Sequence, residues 1–333
     1  MKVCLYLEFL YFWDGFLYKK IGTGLLSSYK NQKIMLERMG IEYVEKWDDS
    51  CDILQINTPW PKSLWLMKRA RRKGKKIIVW SHVTAEDTQG VFKITKYIFG
   101  LIKWYLKHAY DSADLILAPS EYTKSLLVAY GISPDKIVAQ SNGVDLKKYY
   151  PDRERGLKTR EQFGLNKTVV GTVGLVIPRK GIDIFIELAK KFPDCQFIWF
   201  GKIYSTALVR SLPKEIPANC RFTGYVDDIL GAFNAIDIFI FPSVEENQGM
   251  VILEAAAVGL PILVRDIPVY RGWLEHEKNC LKANNDGDFQ NELARLIAGK
   301  EFRQQLVNGE KDLVYQNDID RLGEKMMILY QNF

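Results

Sequence analysis

Two carboxylates bracket a glycine in the run 245–261, EENQGMVILEAAAVGLP: Glu246 and Glu254 stand eight residues apart around Gly249. A loop that ends in a glycine at a helix start presents free backbone amides and the positive end of the helix dipole to an anion. Glu254, about one turn inside that helix, could accept hydrogen bonds from sugar hydroxyls, while Glu246 on the loop could reach another part of the same ligand. A solvated acidic pair ahead of a buried alanine-rich helix would also produce this run. It gives no reason for Glu254 to interrupt an apolar stretch. His82 follows the β-rich run 76–80, at the carboxyl end where parallel α/β sheets bind ligands. A lone histidine is more often structural, but the strand-end position favours function. Gly24 closes Gly22-Thr23-Gly24 before a helical pattern; a G-x-G by itself usually marks a turn.

Charge is a second source of chemistry. The 333 residues carry a net +6. Residues 1–150 hold 23 Lys/Arg against 15 Asp/Glu and residues 151–333 hold 23 against 25, so the excess lies in the first half, with 12 basic and 2 acidic residues in 61–110. A basic face confined to one region points to an anionic surface. The run 62–76 has eight basic residues in fifteen, among them Lys68, Arg69, Arg71, Arg72 and Lys73, with Trp65 near its start. The run 91–110 sets Lys93, Lys96, Lys103 and Lys107 among aromatics that include Trp104. Such a helix suits the lipid interface, where rings sink in and ammonium groups meet phosphates. A packed helix whose solvated lysines cover apolar surface fits that segment equally well; the adjoining basic run favours the membrane. Nucleic acid is the weaker partner, since no helix-turn-helix, RRM or zinc-finger pattern accompanies the charge.

The elements that must position these residues alternate. Strands are expected over 2–8, 53–56, 76–80, 115–118 and 137–140, with helices over 25–39, 62–72, 91–110 and 122–130. The polar stretch 147–167 reads as a linker. The alternation then restarts with strands over 168–173, 196–200, 220–223, 236–241 and 261–264 and helices over 182–190, 228–235 and 249–258. Strand–helix alternation means parallel sheets covered by helices, hence an α/β protein of two doubly wound domains, 1–150 and 151–333, with the cleft between them as the default site. The last helix is free to pack back on the first domain. Hydrophobic residues at 47% and charged residues at 26% exclude a disordered chain. No run approaches the roughly 18 apolar residues of a spanning helix. The apolar start, 1–13, is broken by Glu8 and Asp14 and reads as a buried strand rather than a signal peptide. Five scattered cysteines without C-x-x-C, and only three histidines, argue against a disulfide framework or a zinc site.

The spacing of Glu246 and Glu254, followed by EA-x-x-x-G-x-P, resembles the donor motif of retaining GT-B glycosyltransferases of family 4. Gly171-Thr172-Val173-Gly174, Arg179-Lys180-Gly181-Ile182-Asp183, Gly224-Tyr225, Ser120-Glu121-Tyr122 and Ser141-Asn142-Gly143-Val144-Asp145 resemble the same family, in order and along nearly the whole chain. The opening MKVCLYLE, Ser81–Asp87 and Val264–Leu274 (VRDIPVYRGWL) are similar to the branch that adds a second hexose to monoglucosyl-diacylglycerol. The resemblance implies two Rossmann-like domains flanking a cleft and transfer of glucose from UDP-glucose to that lipid, giving an α-1,2-linked product. It places the enzyme peripherally on the cytoplasmic face of the membrane, in contact with anionic lipids.

By the same resemblance Glu254 binds the ribose, and Glu246 and His82 act at the donor hexose. Amides near Gln248, Gly249 and Met250 face the diphosphate, Lys180 neutralises it, and Gly24, Gly224 and Tyr225 complete the donor site. The family arginine expected after Gly174 is replaced by Leu175, and Arg179 is the candidate substitute. No metal-binding D-x-D is present, so a Lys/Arg clamp with the helix dipole stands in for a metal and no cofactor is required. Asp227-Asp228 reads as a helix cap. UDP-galactose as donor, a soluble acceptor, and a non-enzymatic protein that binds anionic membranes are the alternatives.

Overall fold

The computed structural model describes residues 1–8, 24–88, 95–203, 212–213 and 215–332, at 88 and 95–97 by backbone alone. Among them the chain forms two compact units. Of the described residues, one holds the amino-terminal strand with Leu25–Gly143 and 318–332, the other Val144–Asn317 together with Gly24. The boundary thus falls at 143/144 rather than at 150, and the terminal helix Ile319–Gln331 belongs to the first unit.

The first unit is built on six strands, β1 (Lys2–Tyr6), β2 (Glu42–Val44), β3 (Ile53–Ile56), β4 (Lys76–Trp80), β5 (Leu115–Ala118) and β6 (Ile137–Ala139). They are ordered β2-β1-β3-β4-β5-β6 and every pair is parallel. Alternate residues serve opposite faces. Cys4, Tyr6, Ile77 and Val79 enter one core with the helices Pro61–Arg72 and Thr95–Asp111. Val3, Leu5, Ile78 and Trp80 enter another with the helices Gly24–Arg38 and Ile319–Gln331. Both faces are therefore covered, as a parallel sheet requires. Leu322, Met326 and Tyr330 bury the terminal helix in the second of these cores, and an Arg38–Asp320 ion pair of 2.6 Å ties it to the Gly24–Arg38 helix. Glu8 ends the β1 segment and turns back, accepting hydrogen bonds from the Ser63 amide at 2.7 Å and its hydroxyl at 2.8 Å.

The second unit repeats the plan with β7 (Val169–Val173), β8 (Gln196–Phe200), β9 (Cys220–Gly224), β10 (Ile238–Phe241), β11 (Ile262–Arg265) and β12 (Leu281–Ala283), ordered β12-β11-β10-β7-β8-β9 and again parallel throughout. The direction of winding reverses between β7 and β10, which opens a crevice at their carboxyl ends. The stretch 147–167 is not merely a linker: it contains the helix Arg153–Phe163, capped by Asp152, which accepts from the Arg155 amide at 3.1 Å, and stopped by left-handed Gly164. Polar composition hid a helix whose end signals were in place. Its contact residue is Gly156, where a Cβ would lie 2.4 Å from the Asn234 carbonyl oxygen. Asp228 caps Ile229–Asn234 by accepting from the Gly231 amide at 3.0 Å.

One buried charge runs against this packing. Glu310, between the helices Lys300–Gly309 and Lys311–Gln316, is 1% exposed, and neither carboxylate oxygen has a hydrogen-bond partner among the described residues. Burial raises its carboxyl well above the usual range. The native state therefore keeps a proton that the unfolded state gives up, so this group costs more stability as pH rises above the ordinary carboxylate pKa. Glu310→Met should raise Tm by a few degrees at pH 8, consistent with about 1–3 kcal/mol for relieving an unpaired buried acid. The gain should shrink toward pH 5 in calorimetry at both values.

Candidate active site

The crevice between β7 and β10 gathers the donor-type residues of the second unit. After β7, the turn Pro178–Lys180 carries Arg179 and Lys180. After β10, Pro242 and Ser243 lead into the loop bearing Glu246. Lys180 Nζ pairs with Glu246 Oε1, Ser243 donates its hydroxyl to the same oxygen at 2.6 Å, and Arg179 stands 3.6 Å from it while donating to the Glu245 carbonyl at 2.6 Å. Burial alone would push Glu246 upward; the charges of Lys180 and Arg179 and the two hydrogen bonds outweigh it and hold the carboxyl below its ordinary value. Glu246 is thus a carboxylate with its charge secured. Lys180 also lies 4.7 Å from the centre of the Phe241 ring.

The close approach of the two loops depends on Gly181. Its φ of 84° is left-handed, and a Cβ there would sit 2.6 Å from the Pro242 carbonyl oxygen. Gly249, at φ 87°, starts the helix Met250–Val258 without a side-chain cap. No side chain caps its first amides, although the Ile252 amide donates to the Gly249 carbonyl at 2.9 Å, and uncapped amides at a helix start are the groups an anion can engage. Gln248 and Met250 flank it, both buried. The Tyr270 hydroxyl lies 3.4 Å from where a Gly249 Cβ would be and has no hydrogen-bond partner among the described residues. Glu254 is buried inside the same helix. Burial raises its carboxyl, opposed by the Lys148 charge and a hydrogen bond from Tyr149, whose own hydroxyl accepts from Lys148 Nζ at 2.9 Å. Gly224 and Tyr225 lie at the same carboxyl edge of the sheet but at its far strand, β9, two strands from β7, and Tyr225 is exposed.

The first unit carries its own polar cluster. His82 follows β4, stacked on Trp80 with ring centroids 5.4 Å apart. Its Nε2 lies 3.4 Å from Ser28 Oγ and 3.5 Å from Gln32 Nε2, and Ser28 donates to Asn142 Oδ1 at 2.7 Å. Burial lowers the ring to about 3, so His82 is neutral at ordinary pH. Gly24 is the exposed first residue of the helix that supplies Ser28 and Gln32.

The described parts of the basic-aromatic segments lie mainly on the helices Pro61–Arg72 and Thr95–Asp111 of the first unit, which pack into the same core. The Tyr105 hydroxyl donates to the Pro59 carbonyl at 2.7 Å, and Arg71 reaches the Ser112 carbonyl and Asp114. Trp65, Ile98, Leu101 and Trp104 are exposed, Leu101 by 63%. Part of the charge is already answered: Arg69 and Lys73 pair with Asp49, Arg71 with Asp114, and Lys107 with Asp111. Lys103 lies over the Tyr130 ring, while Lys68 and Arg72 are exposed. Lys93 falls outside the described residues, as does the side chain of Lys96. No helix among the described residues is long and apolar enough to cross a membrane.

Comparison with known proteins gives this geometry a family. Residues 18–148 match the family description "Glycosyltransferase Family 4", and residues 156–312 match "Glycosyl transferases group 1". The chain is 36% identical, over 99% of its length and 98% of the relative's, to a processive diacylglycerol alpha-glucosyltransferase of Acholeplasma laidlawii. The chain belongs to glycosyltransferase family 4. An alpha-galactosylglucosyldiacylglycerol synthase of Streptococcus pneumoniae is 30% identical to this glycosyltransferase over 78% of the chain and 70% of the relative. Among solved structures, Anabaena Alr3699/HepE in complex with UDP-glucose superposes with a TM-score of 0.75 at 17% identity, covering 94% of this chain and 97% of that one. That likeness is one of fold, the GT-B arrangement of two Rossmann-like domains.

The structure brings Arg179, Lys180, Glu246, Gln248, Gly249 and Met250 of the glycosyltransferase together at one crevice, with Glu254 in the helix that lines it. Ser243, Tyr270, Lys148 and Tyr149 in the second unit, and Ser28 and Gln32 in the first, were not foreseen as site residues. Apart from Ser243, three residues before Glu246, each comes from a segment distant in sequence from the residues it serves, and none has a periodic or spacing signal of its own.

Two outcomes follow for the glycosyltransferase. Gly181→Ala should cut transfer at least about tenfold and cost roughly 1–3 kcal/mol of stability, because a Cβ in left-handed backbone separates Lys180 from Glu246; rate assays paired with thermal melts test both. His82 takes up a proton near 6.5 when unfolded and near 3 when folded. Its contribution to stability is therefore complete above pH 6.5 and lost as pH falls toward 3. His82→Gln should flatten the acid limb of a stability–pH curve, and the wild-type rate should show no inflection from this ring between pH 5 and 8.

Proposed function

We propose that this glycosyltransferase moves glucose from UDP-glucose to monoglucosyl-diacylglycerol with retention, forming an α-1,2-linked diglucosyl lipid at the cytoplasmic face of a membrane. The observation that carries the donor half is the buried Lys180–Glu246 pair beside the uncapped start of the Met250–Val258 helix. The leaving diphosphate gains negative charge as the glycosidic bond breaks. Lys180, Arg179 and the amides after Gly249 are the groups assigned to receive it, with no metal required. Glu246, held ionised, faces the donor hexose, and Glu254 accepts from ribose hydroxyls after displacing or sharing Tyr149. His82 is the first unit's residue assigned to the transferred sugar. In the proposed chemistry an oxygen of the departing UDP takes the proton of the acceptor hydroxyl, so neither glutamate acts as a covalent nucleophile.

The lipid acceptor is supported by the full-length likeness to a diacylglycerol glucosyltransferase and by the exposed Trp65, Leu101 and Trp104 among basic residues. Rings of this kind bury in the headgroup region while Lys68 and Arg72 meet anionic lipid. The word "processive" in that relative's name favours a second reading, in which the enzyme also glucosylates diacylglycerol itself. The streptococcal relative's name keeps UDP-galactose as the rival donor.

The test is UDP release from UDP-glucose and from UDP-galactose in mixed micelles with diacylglycerol, monoglucosyl-diacylglycerol or no lipid, with and without anionic lipid, and NMR of the product linkage. Glucose transfer that requires the monoglucosyl lipid is expected, stimulated by anionic lipid. Glu254→Ala and Lys180→Ala should abolish transfer yet bind vesicles normally, whereas Trp65→Ala with Trp104→Ala should weaken vesicle binding. Transfer from UDP-galactose alone would change the donor, and turnover without any lipid would overturn the acceptor.

A further inference from the structure

His82 does not stand in an isolated polar pocket. It terminates a chain of buried side-chain hydrogen bonds that begins on the last helix of the protein. Tyr330 donates its hydroxyl to Gln55 Oε1 at 2.5 Å, Gln55 Nε2 donates to Gln32 Oε1 at 2.8 Å, and Gln32 Nε2 donates to Asn57 Oδ1 at 2.7 Å and to Ser28 Oγ at 3.2 Å. All of these residues are buried, Gln55 and Asn57 completely. The first unit alone contains the whole chain.

Each link fixes the direction of the next. A phenol can donate or accept, but with the Gln55 NH2 turned toward it the buried Tyr330 hydroxyl proton would lose its acceptor, so the Gln55 amide keeps its oxygen on Tyr330 and its NH2 on Gln32. Gln32 in turn offers its oxygen to Gln55 and its NH2 to Asn57 and Ser28, using both N–H groups on these shorter contacts. Ser28 spends its own proton on Asn142 Oδ1. Its oxygen is left with a lone pair directed at His82 Nε2, 3.4 Å away. A lone pair there matches a neutral imidazole protonated on Nε2, which leaves Nδ1 as the unprotonated nitrogen. If Gln55 turned over, Gln32 would follow and present its carbonyl oxygen to Ser28. The Ser28 proton would be drawn away from Asn142, and the preference at Nε2 would be lost.

We infer that the Ile319–Gln331 helix sets the tautomer and orientation of His82 through Tyr330, Gln55 and Gln32, making Tyr330 and Gln55 positioning residues for glycosyl transfer. The crevice between this helix and the Gly24–Arg38 helix, lined by Met35, Met39, Gly323 and Met326 together with Gln32 and Tyr330, gives the chain an adaptable apolar wall. Packing of the terminal helix at Gly323, where a Cβ would approach Met39 to 3.2 Å, thereby bears on the geometry at His82. The inference rests on the proposed role of His82 for its catalytic consequence, while the tautomer itself does not depend on that role.

The experiment is long-range 1H–15N NMR of the full-length protein labelled at histidine. The chain has three histidines, and His82→Asn identifies the signal. The wild type should show His82 protonated on Nε2. In Tyr330→Phe, which removes only the hydroxyl, the His82 nitrogens should shift toward a tautomer mixture. Turnover of UDP-glucose with monoglucosyl-diacylglycerol should fall on the order of tenfold in kcat with KM for the donor within about twofold. Gln55→Met should reproduce both effects and serves if Tyr330→Phe does not fold. Adding Tyr330→Phe to Gln32→Met should change the His82 signals no further, since the link is already cut. Unchanged His82 signals in a folded Tyr330→Phe or Gln55→Met protein, or fully additive effects, would overturn the inference. Wild-type turnover in His82→Ala would instead remove the assigned role of His82, and a tautomer shift in Tyr330→Phe would still establish the chain.

Discussion

A carboxylate buried at the reversal point of a parallel sheet is tolerable only if cations and donors answer it, and much of the second unit is arranged around that requirement. Burial pushes the Glu246 carboxyl upward, and Lys180, Arg179 and Ser243 reverse that push. Those three arrive from the ends of two strands that become neighbours only because the winding order places β7 beside β10. Gly181 lets the two strand-end loops touch, and Gly249 turns the chain so that the next helix begins with its amides uncapped by a side chain. Charge, backbone geometry and strand order thus combine into one site suited to a leaving group that becomes more anionic as it departs.

The first unit solves a different problem. Its sheet buries both faces, and the terminal helix supplies part of the cover on one of them. That helix brings a tyrosine to a row of amides on β3 and the Gly24–Arg38 helix. Buried amides must be satisfied or they destabilise the fold. Once satisfied in a single direction, they also dictate which nitrogen of His82 carries its proton. Packing and site chemistry therefore share the same hydrogen bonds. Trp65, Ile98, Leu101 and Trp104 on the helices Pro61–Arg72 and Thr95–Asp111 remain exposed, the feature on which the proposed lipid contact rests. The partial pairing of the neighbouring basic charge with Asp49, Asp111 and Asp114 means exposed rings, more than net charge, distinguish the face.

The two glutamates, the glycine between them and the lysine after β7 were legible because each belongs to a local pattern: a loop, a helix start, a strand end. The alternation of strands and helices was legible for the same reason, since burial on both faces leaves continuous apolar runs of strand length. The helix Arg153–Phe163 escaped because it buries mainly Gly156 and Thr159 and so shows no apolar stripe. Tyr149 and Ser28 escaped because nothing local marks a hydroxyl that meets its partner across the fold, and Ser243 and Tyr270 because a lone hydroxyl beside a strand end or in a turn carries no signal of its own. The exchange of 318–333 into the first unit has no sequence signature, because the chain order says nothing about which sheet a late helix covers.

By itself the sequence determined the parallel α/β class, the doubling of the unit, the spacing of Glu246, Gly249 and Glu254, and the confinement of the net positive charge to the first half. These rest on periodicity and short-range spacing, which folding preserves. Only the tertiary structure decided that Lys180 and Glu246 form a buried pair, that Tyr149 and Lys148 engage Glu254, which basic side chains are already paired, and that Tyr330 is linked to His82. Lys107–Asp111 apart, each of those joins residues separated by tens to hundreds of positions, and the buried contacts among them are selected by burial and hydrogen-bond satisfaction in the assembled core.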